Sequence, residues 1–196
     1  MKKVKIFLAS SAELKEERQL FEIEIYRKCK AWFEKGIFLH LEIWEDMSAK
    51  MSASGRSQSD YNEVIKECDI LILLAYTKVG IYTAEEFEVA HGQFRKTEKP
   101  FIFTYFKDAA INTGSITPEF MSLLNFKQKL SDLGHFYSTY TDFHHLWNQF
   151  NKELERLADG EFQEMVERVA EEKTSGAIHQ HNIYGDNIGR DKVVGK

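Results

Sequence analysis

Six consecutive apolar residues, Ile70 to Ala75, constrain the fold of this chain more than any other feature of its sequence. A β-strand directs alternate side chains to opposite faces of its sheet, so a strand that is apolar at every position must be covered on both faces. Such strands are typical of the centre of a parallel sheet with helices packed on either side. We therefore expect an α/β fold built around this segment.

The rest of the chain alternates between strand-like and helix-like patterns. Four further segments are predicted to be strands: Val4 to Leu8, Ile37 to Trp44, Phe101 to Phe106 and Phe136 to Tyr140. Apolar residues at helical spacing follow each strand, and the last such helix begins at Asp142. This alternation is the signature of βαβ units with right-handed crossovers. The pattern predicts one domain over residues 1–157, with a flavodoxin-like, doubly wound sheet of five parallel strands.

The C-terminal part of the chain differs from this domain. Asp159 and Gly160 are expected to end or kink the last helix, and residues 158–177 are predicted to form a C-terminal helix and a linker. Residues 178–196 repeat Gly, Asn or Asp, and Ile or Val, and are too few to bury a core of their own. This tail is expected either to be a flexible polar segment or to pair as β-structure with copies of itself or with a partner.

Composition limits the classes of function. The 196 residues include 43% hydrophobic residues and carry a formal net charge of −5. That balance provides no basic field to attract a phosphate backbone, so no nucleic-acid partner is expected. No segment reaches the roughly 18 apolar residues of a membrane-spanning helix, and the first strand is too short for a signal-peptide core. We expect a cytoplasmic protein without a membrane partner.

Two predictions concern how the helices pack. Cys29 and Cys68 lie within apolar helical patterns, where a small buried thiol is the common outcome. The charged run from Glu13 to Arg18 is expected to form the exposed face of the first helix, because charged side chains favour water.

Polar and aromatic residues collect where the predicted strands end. In an open α/β sheet, ligands bind at the C-terminal ends of the strands, near the point where the strand order reverses. Candidate ligand-binding residues follow the first three strands along the chain: Ser10, Ser11, Trp44, Asp46, Tyr76 and Tyr82.

Two stretches of the sequence resemble bacterial TIR-like domains. The first, Lys5 to Arg18, combines a strand, small polar residues and an acidic-basic helix, and the second runs from Cys68 to Ala90. The resemblance covers roughly residues 3–155. It implies a TIR-like enzyme that cleaves NAD+ between nicotinamide and ribose and acts in bacterial antiviral defence or signalling. It also implies a homo-oligomer, assembled through TIR surfaces or the C-terminal tail, in which a neighbouring subunit completes the site.

The same resemblance assigns a role to Glu86. In the NAD-cleaving members, a glutamate four residues before an alanine is catalytic, and Glu86 and Ala90 occupy these positions here. One ionised carboxylate can stabilise the oxocarbenium-like state, because nicotinamide is already a good leaving group. We expect the helix N-terminus to favour the ionised form. NAD+ is then the substrate, and the chemistry requires neither a cofactor nor a metal.

Two other interpretations of Glu86 remain open. The segment Thr83 to Glu86 fits a capping box in which Glu86 bonds back to the Thr83 amide. The chain would then be a non-catalytic TIR-like scaffold that acts through protein–protein contacts. The block also resembles nucleoside deoxyribosyltransferases, on account of Gly92 and Lys99-Pro100. That resemblance implies cleavage of a different nucleoside or nucleotide at its N-glycosidic bond.

The remaining candidates also have structural alternatives. The two serines can offer hydroxyls and backbone N–H groups to phosphate or ribose, or one of them caps the first helix. Trp44, Tyr76 and Tyr82 can stack on nicotinamide or adenine, or they belong to the rim of the core. Asp46 can bind ribose hydroxyls or be a solvated loop residue.

Overall fold

A computed structural model describes residues 1–43 and 58–162 of the chain. Within these ranges five strands, β1 to β5, span Lys2–Ser10, Ile37–Glu42, Ile70–Ala75, Phe101–Lys107 and Ser138–Tyr140. Five α-helices, α1 to α5, span Lys15–Trp32, Gln58–Lys66, Ile81–Thr97, Phe120–Asp132 and Phe143–Leu157. Short 3-10 turns lie at Ala12–Leu14 and Thr113–Ser115, and a π-helical turn at Ala158–Phe162 follows α5.

The strands form one parallel sheet in the order β2-β1-β3-β4-β5. The order reverses between β1 and β3, because the chain moves to one side of β1 to form β2 and to the other side for the remaining strands. β3 lies at the centre, and every residue of this strand is buried. The predicted flavodoxin-like α/β fold is therefore confirmed.

Two apolar cores cover the two faces of the sheet. One core joins the sheet to α1 and α5, and the rings of Phe21 and Phe150 meet there at 5.1 Å between centroids. The other joins the sheet to α2, α3 and α4, where Phe87 and Phe126 meet edge to face at 5.1 Å. Both cysteines are buried, as predicted. Because β1 and β3 contribute alternate side chains to the two cores, neither face of the central strands meets water.

Several predicted boundaries shift in the structure. β2 ends at Glu42, and β5 contains only the three residues that pair with Tyr105 to Lys107 on β4. Phe136, predicted to begin that last strand, is 93% exposed outside it. The predicted C-terminal helix after Gly160 and the tail at residues 178–196 lie outside the described residues, apart from the turn that ends at Phe162. The predicted domain boundary at residue 157 stays a prediction.

The charged run at the start of α1 is exposed only in part: Glu13, Lys15 and Glu16 are exposed as predicted, whereas the prediction was wrong for its last two residues. Glu17 is buried and Arg18 is fully buried. A guanidinium N–H group of Arg18 donates to Ser10 Oγ at 2.7 Å and to the Ser11 carbonyl oxygen at 2.8 Å. Hydrogen bonds of this kind allow a charged group to lie in the interior. Arg18 therefore ties the first turn of α1 to the end of β1.

Replacing Arg18 with alanine is expected to lower the free energy of unfolding by about 3 kcal/mol, because it removes a buried side chain and leaves buried acceptors without their donor. Urea unfolding followed by circular dichroism measures this loss. Arg27→Ala on the exposed side of the same helix is the matched control, since Arg27 is exposed and pairs with Glu24 on the same helix. The two variants unfolding at the same urea concentration would contradict the clamping role of Arg18.

Candidate active site

The start of α3 determines the position of Glu86. The helix begins at Ile81 with Gly80 as its N-cap, and the Ala84 N–H donates to the Gly80 carbonyl at 2.9 Å. Thr83 is therefore the third residue of the helix and Glu86 the sixth. The capping-box interpretation was wrong, because Thr83 is not the N-cap and Glu86 lies beyond the first turn.

Glu86 lies on the buried face of α3 and is only 7% exposed. No hydrogen bond or ion pair joins its carboxyl to another residue in the described ranges. Burial, and to a smaller extent the charge of Glu85, raises the pKa of Glu86 to about 8. The carboxyl is therefore mostly protonated at neutral pH. Our expectation that the helix N-terminus would hold it ionised was wrong, because Glu86 lies beyond the first turn, to which the dipole effect is limited, and burial favours the neutral form.

Ser10 and Ser11 form a tightly bonded corner after β1. The Ser10 hydroxyl accepts from Arg18, and the Ser11 hydroxyl donates to Glu13 Oε1 at 2.9 Å. α1 itself begins after Leu14, so neither serine side chain caps it. The predicted cap is confirmed in position only, because Ser11 is the N-cap of the 3-10 turn that leads into α1 but makes no side-chain capping hydrogen bond. A ligand-binding role for the serines stays a prediction.

A single carboxylate connects the loops on either side of the reversal in strand order. Glu13 accepts hydrogen bonds from the Ser11 hydroxyl, from the Thr77 N–H at 3.1 Å and from the Thr77 hydroxyl. Ser11 follows β1 and Thr77 follows β3, so Glu13 spans the crevice where ligands bind in doubly wound folds.

The aromatic candidates lie in different surroundings. Tyr76 is partly buried at the end of β3, where its hydroxyl donates to the Ala110 carbonyl at 2.8 Å and the Lys107 ammonium lies 5.3 Å from its ring centroid. Tyr82 is 67% exposed in the first turn of α3. Trp44 and Asp46 lie outside the described residues.

The structure therefore brings only some of the candidates together. Ser10, Ser11 and Tyr76 lie at one corner of the sheet edge, on the two strands beside the reversal in strand order. The Ser10 hydroxyl faces the α1 layer through Arg18, whereas Glu86 lies on α3 in the opposite layer. Any ligand that contacts both must cross the edge of the sheet.

Sequence reasoning missed a buried polar cluster at the same edge. It consists of Glu17 on α1, Lys107 at the end of β4 and Tyr140 at the end of β5, and we call it the Glu17 cluster. The Lys107 ammonium pairs with Glu17, and the fully buried hydroxyl of Tyr140 has no partner in the described structure. A signal for Glu17 was present, because it lies three residues after Leu14 and four before Phe21 on the buried side of the helix.

A cleft of about 480 Å³ lies away from these residues, against β4 and β5. His135, Phe136 and Gln149 are among its lining residues, whereas Glu86, Ser10 and Tyr76 are not. The His135 ring nitrogen lies 3.1 Å from the Thr104 hydroxyl. This cleft therefore does not coincide with the predicted site.

The described residues form neither a membrane-spanning helix nor a metal-binding cluster. No helix of residues 1–43 or 58–162 is long and apolar enough to cross a membrane. The same ranges contain no group of three or more His, Cys, Asp or Glu side chains placed to hold a metal ion. A comparison with protein-family models gives no match, and a comparison with curated proteins gives none either.

Because Glu86 is buried, the free energy of unfolding should depend on pH. The pKa of Glu86 is about 8 in the folded protein against an ordinary value of 4.5, so the folded state holds this proton more tightly than the unfolded state. Stability should fall by about 1.4 kcal/mol per pH unit as the pH rises between these two values, because ionisation favours unfolding there. Glu86→Gln should lose this dependence, and urea unfolding at pH 5.5, 7 and 8.5 measures it.

The control for this prediction is Glu34→Gln, since Glu34 is exposed. It should keep the pH dependence of the parent protein. A Glu86→Gln protein whose stability falls with pH as steeply as that of the parent would show that Glu86 is not a buried neutral carboxyl.

Proposed function

We propose that this protein cleaves the N-glycosidic bond between nicotinamide and ribose in NAD+, with Glu86 as the catalytic carboxyl. The observation that supports this most directly is a buried carboxyl at 7% exposure without a cationic or hydrogen-bonding partner in the described structure. A titratable group whose pKa is displaced by burial is a candidate for function. The resemblance of residues 68–90 to the TIR-like block points to the same residue.

The charge of the substrate complements this site. The nicotinamide ring of NAD+ is a cation, and Glu86 lacks a cationic partner within the described residues. An opposite charge within about 4–6 Å favours the ionised form of a carboxyl. Binding of the substrate would therefore supply the charge that converts neutral Glu86 into the carboxylate.

The reaction then needs only one carboxylate. When the bond between the ribose C1′ and the ring nitrogen breaks, nicotinamide leaves as a neutral molecule with the bonding electron pair and needs no proton. The positive charge moves to the ribose as an oxocarbenium-like state, which the Glu86 carboxylate stabilises. Water then adds to C1′ and releases a proton, so the products are ADP-ribose, nicotinamide and one proton.

Assembly into a homo-oligomer belongs to the same proposal. Ile81 and Tyr82, at the start of the helix that contains Glu86, are 85% and 67% exposed. Large apolar side chains exposed together mark interaction surfaces. A second subunit that covers them would lie next to the helix with the catalytic carboxyl. The resemblance further implies that such an enzyme acts in bacterial antiviral defence or signalling.

Release of nicotinamide from NAD+ by the purified full chain tests the proposal, with the product measured by liquid chromatography. We expect Glu86→Gln to reduce kcat at least about 100-fold, because it removes the charge that stabilises the transition state. For the parent protein, kcat/KM should rise about tenfold per pH unit and level off near pH 8, since only ionised Glu86 acts. Glu85→Gln is the matched control; it should remain active and shift this profile to lower pH, because it removes a neighbouring negative charge.

Three outcomes would contradict the proposal. Full activity of Glu86→Gln would remove the catalytic role of this carboxyl. Release of a free base from nucleosides but not from NAD+ would favour the alternative N-glycosidase. Absence of any turnover at protein concentrations where the chain self-associates, together with retained partner binding, would favour the scaffold.

A further inference from the structure

The Glu17 cluster lies at the C-terminal edge of the sheet, on the side of α1 and α5. Lys107 and Tyr140 are directly paired in the register of β4 and β5, so their side chains lie on the same face. Tyr140 belongs to the core beneath α1 and α5, and the Lys107 ammonium reaches Glu17 on α1. Three elements therefore place these side chains together.

The Tyr140 hydroxyl and one carboxylate oxygen of Glu17 have no hydrogen-bond partner among the described residues. The Tyr140 side chain is fully buried, yet its hydroxyl makes no hydrogen bond to any described residue. Glu17 uses Oε1 to bind Lys107, while its Oε2 takes no hydrogen bond within the described ranges. Burial, and to a smaller extent the charges of Glu17 and Glu13, raises the pKa of Tyr140, so the hydroxyl keeps its proton. Because an unpaired buried hydroxyl is costly, the Tyr140 hydroxyl is a candidate for hydrogen bonding to a ligand.

The surrounding charges indicate what kind of ligand fits. Among the described residues, two acidic side chains, Glu13 and Glu17, and two basic ones, Arg18 and Lys107, lie at this corner of the sheet. A balanced set favours neither a phosphate nor a cation. A hydroxyl group, in contrast, both donates to a carboxylate oxygen and accepts from a tyrosine O–H. The cluster therefore suits adjacent hydroxyls of a neutral sugar.

Lys107 lies on the solvent side of the cluster. Its side chain retains a quarter of its exposure, whereas that of Glu17 retains under a tenth. The lysine also lies over the ring of Tyr76, which follows β3 at the reversal in strand order. Because a lysine side chain is long and flexible, its movement would open Glu17 and Tyr140 toward that crevice.

We propose that Glu17 and Tyr140 form a binding site for the 2′- and 3′-hydroxyls of a ribose. One hydroxyl donates to Glu17 Oε2, and the other accepts a hydrogen bond from the Tyr140 hydroxyl. This inference rests on the proposed cleavage of NAD+, whose riboses have such adjacent hydroxyls. Glu17 and Tyr140 bind and orient the substrate, while Glu86 stabilises the charge that develops at the bond that breaks.

Calorimetry with two nucleosides tests this site in the full chain. Adenosine and 2′,3′-dideoxyadenosine differ only in the two hydroxyls, and we expect adenosine to bind at least about tenfold more tightly. Tyr140→Phe and Glu17→Gln should each bring this ratio close to one by weakening adenosine alone. Tyr137→Phe and Glu16→Gln are matched controls on an exposed tyrosine and an exposed glutamate, and they should keep the ratio.

The outcomes separate this inference from the proposed function. A parent protein that binds both nucleosides equally or binds neither, or variants that keep the parent ratio, would overturn the ribose site. If the ratio falls as expected but NAD+ is not cleaved in a Glu86-dependent way, the ribose site stands and the proposed function fails. Thermal unfolding checks that each variant is folded; Tyr140→Phe should be at least as stable as the parent because it removes an unpaired buried hydroxyl. If Tyr140→Phe does not fold, the adenosine to dideoxyadenosine affinity ratio of Glu17→Gln tests the ribose site.

Discussion

β3 buries all six of its side chains, and the positions of the other elements follow from covering both of its faces. Strands on both sides and helices on both faces are needed, and right-handed crossovers then place α1 and α5 in one layer and α2, α3 and α4 in the other. Helices can lie in both layers only because the strand order reverses beside β1. As a result, the helices that follow β1 and β3 begin at the same edge of the sheet but in opposite layers.

Burial at that edge affects two carboxyl groups differently. Glu17 lies against Lys107, so its charge is compensated within the protein. Glu86 has no such partner among the described residues, and burial raises its pKa to about 8. Burial without a cationic partner favours the neutral form of a carboxyl, and the arrival of an opposite charge favours its ionised form. This difference motivates separate roles for the two residues, one in holding hydroxyl groups and one in responding to a cationic ring.

The sequence predicted the sheet more successfully than the site. Residues 70–75 form a strand with the predicted ends, because a run apolar on both faces has few other solutions. The start of α3 was missed since its first two residues, Ile81 and Tyr82, are exposed apolar residues that hide the helical pattern. Arg18 was missed because charged residues are seldom buried unless a partner exists, and that partner, Ser10, lies on another element. Likewise, the contact of Lys107 with Glu17 depends on the packing of β4 against α1, which no local pattern specifies.

The central claim is that a cationic ring converts buried, neutral Glu86 into a carboxylate. Nuclear magnetic resonance titration of the side-chain carboxyl carbon of Glu86, assigned with Glu86→Gln, measures its pKa directly. We predict a pKa of about 8 in the free protein and a lower pKa when 1-methylnicotinamide, a cation that lacks the bond to be cleaved, is bound. A pKa near the ordinary 4.5 in the free protein, or one that the bound cation leaves unchanged, would contradict this account.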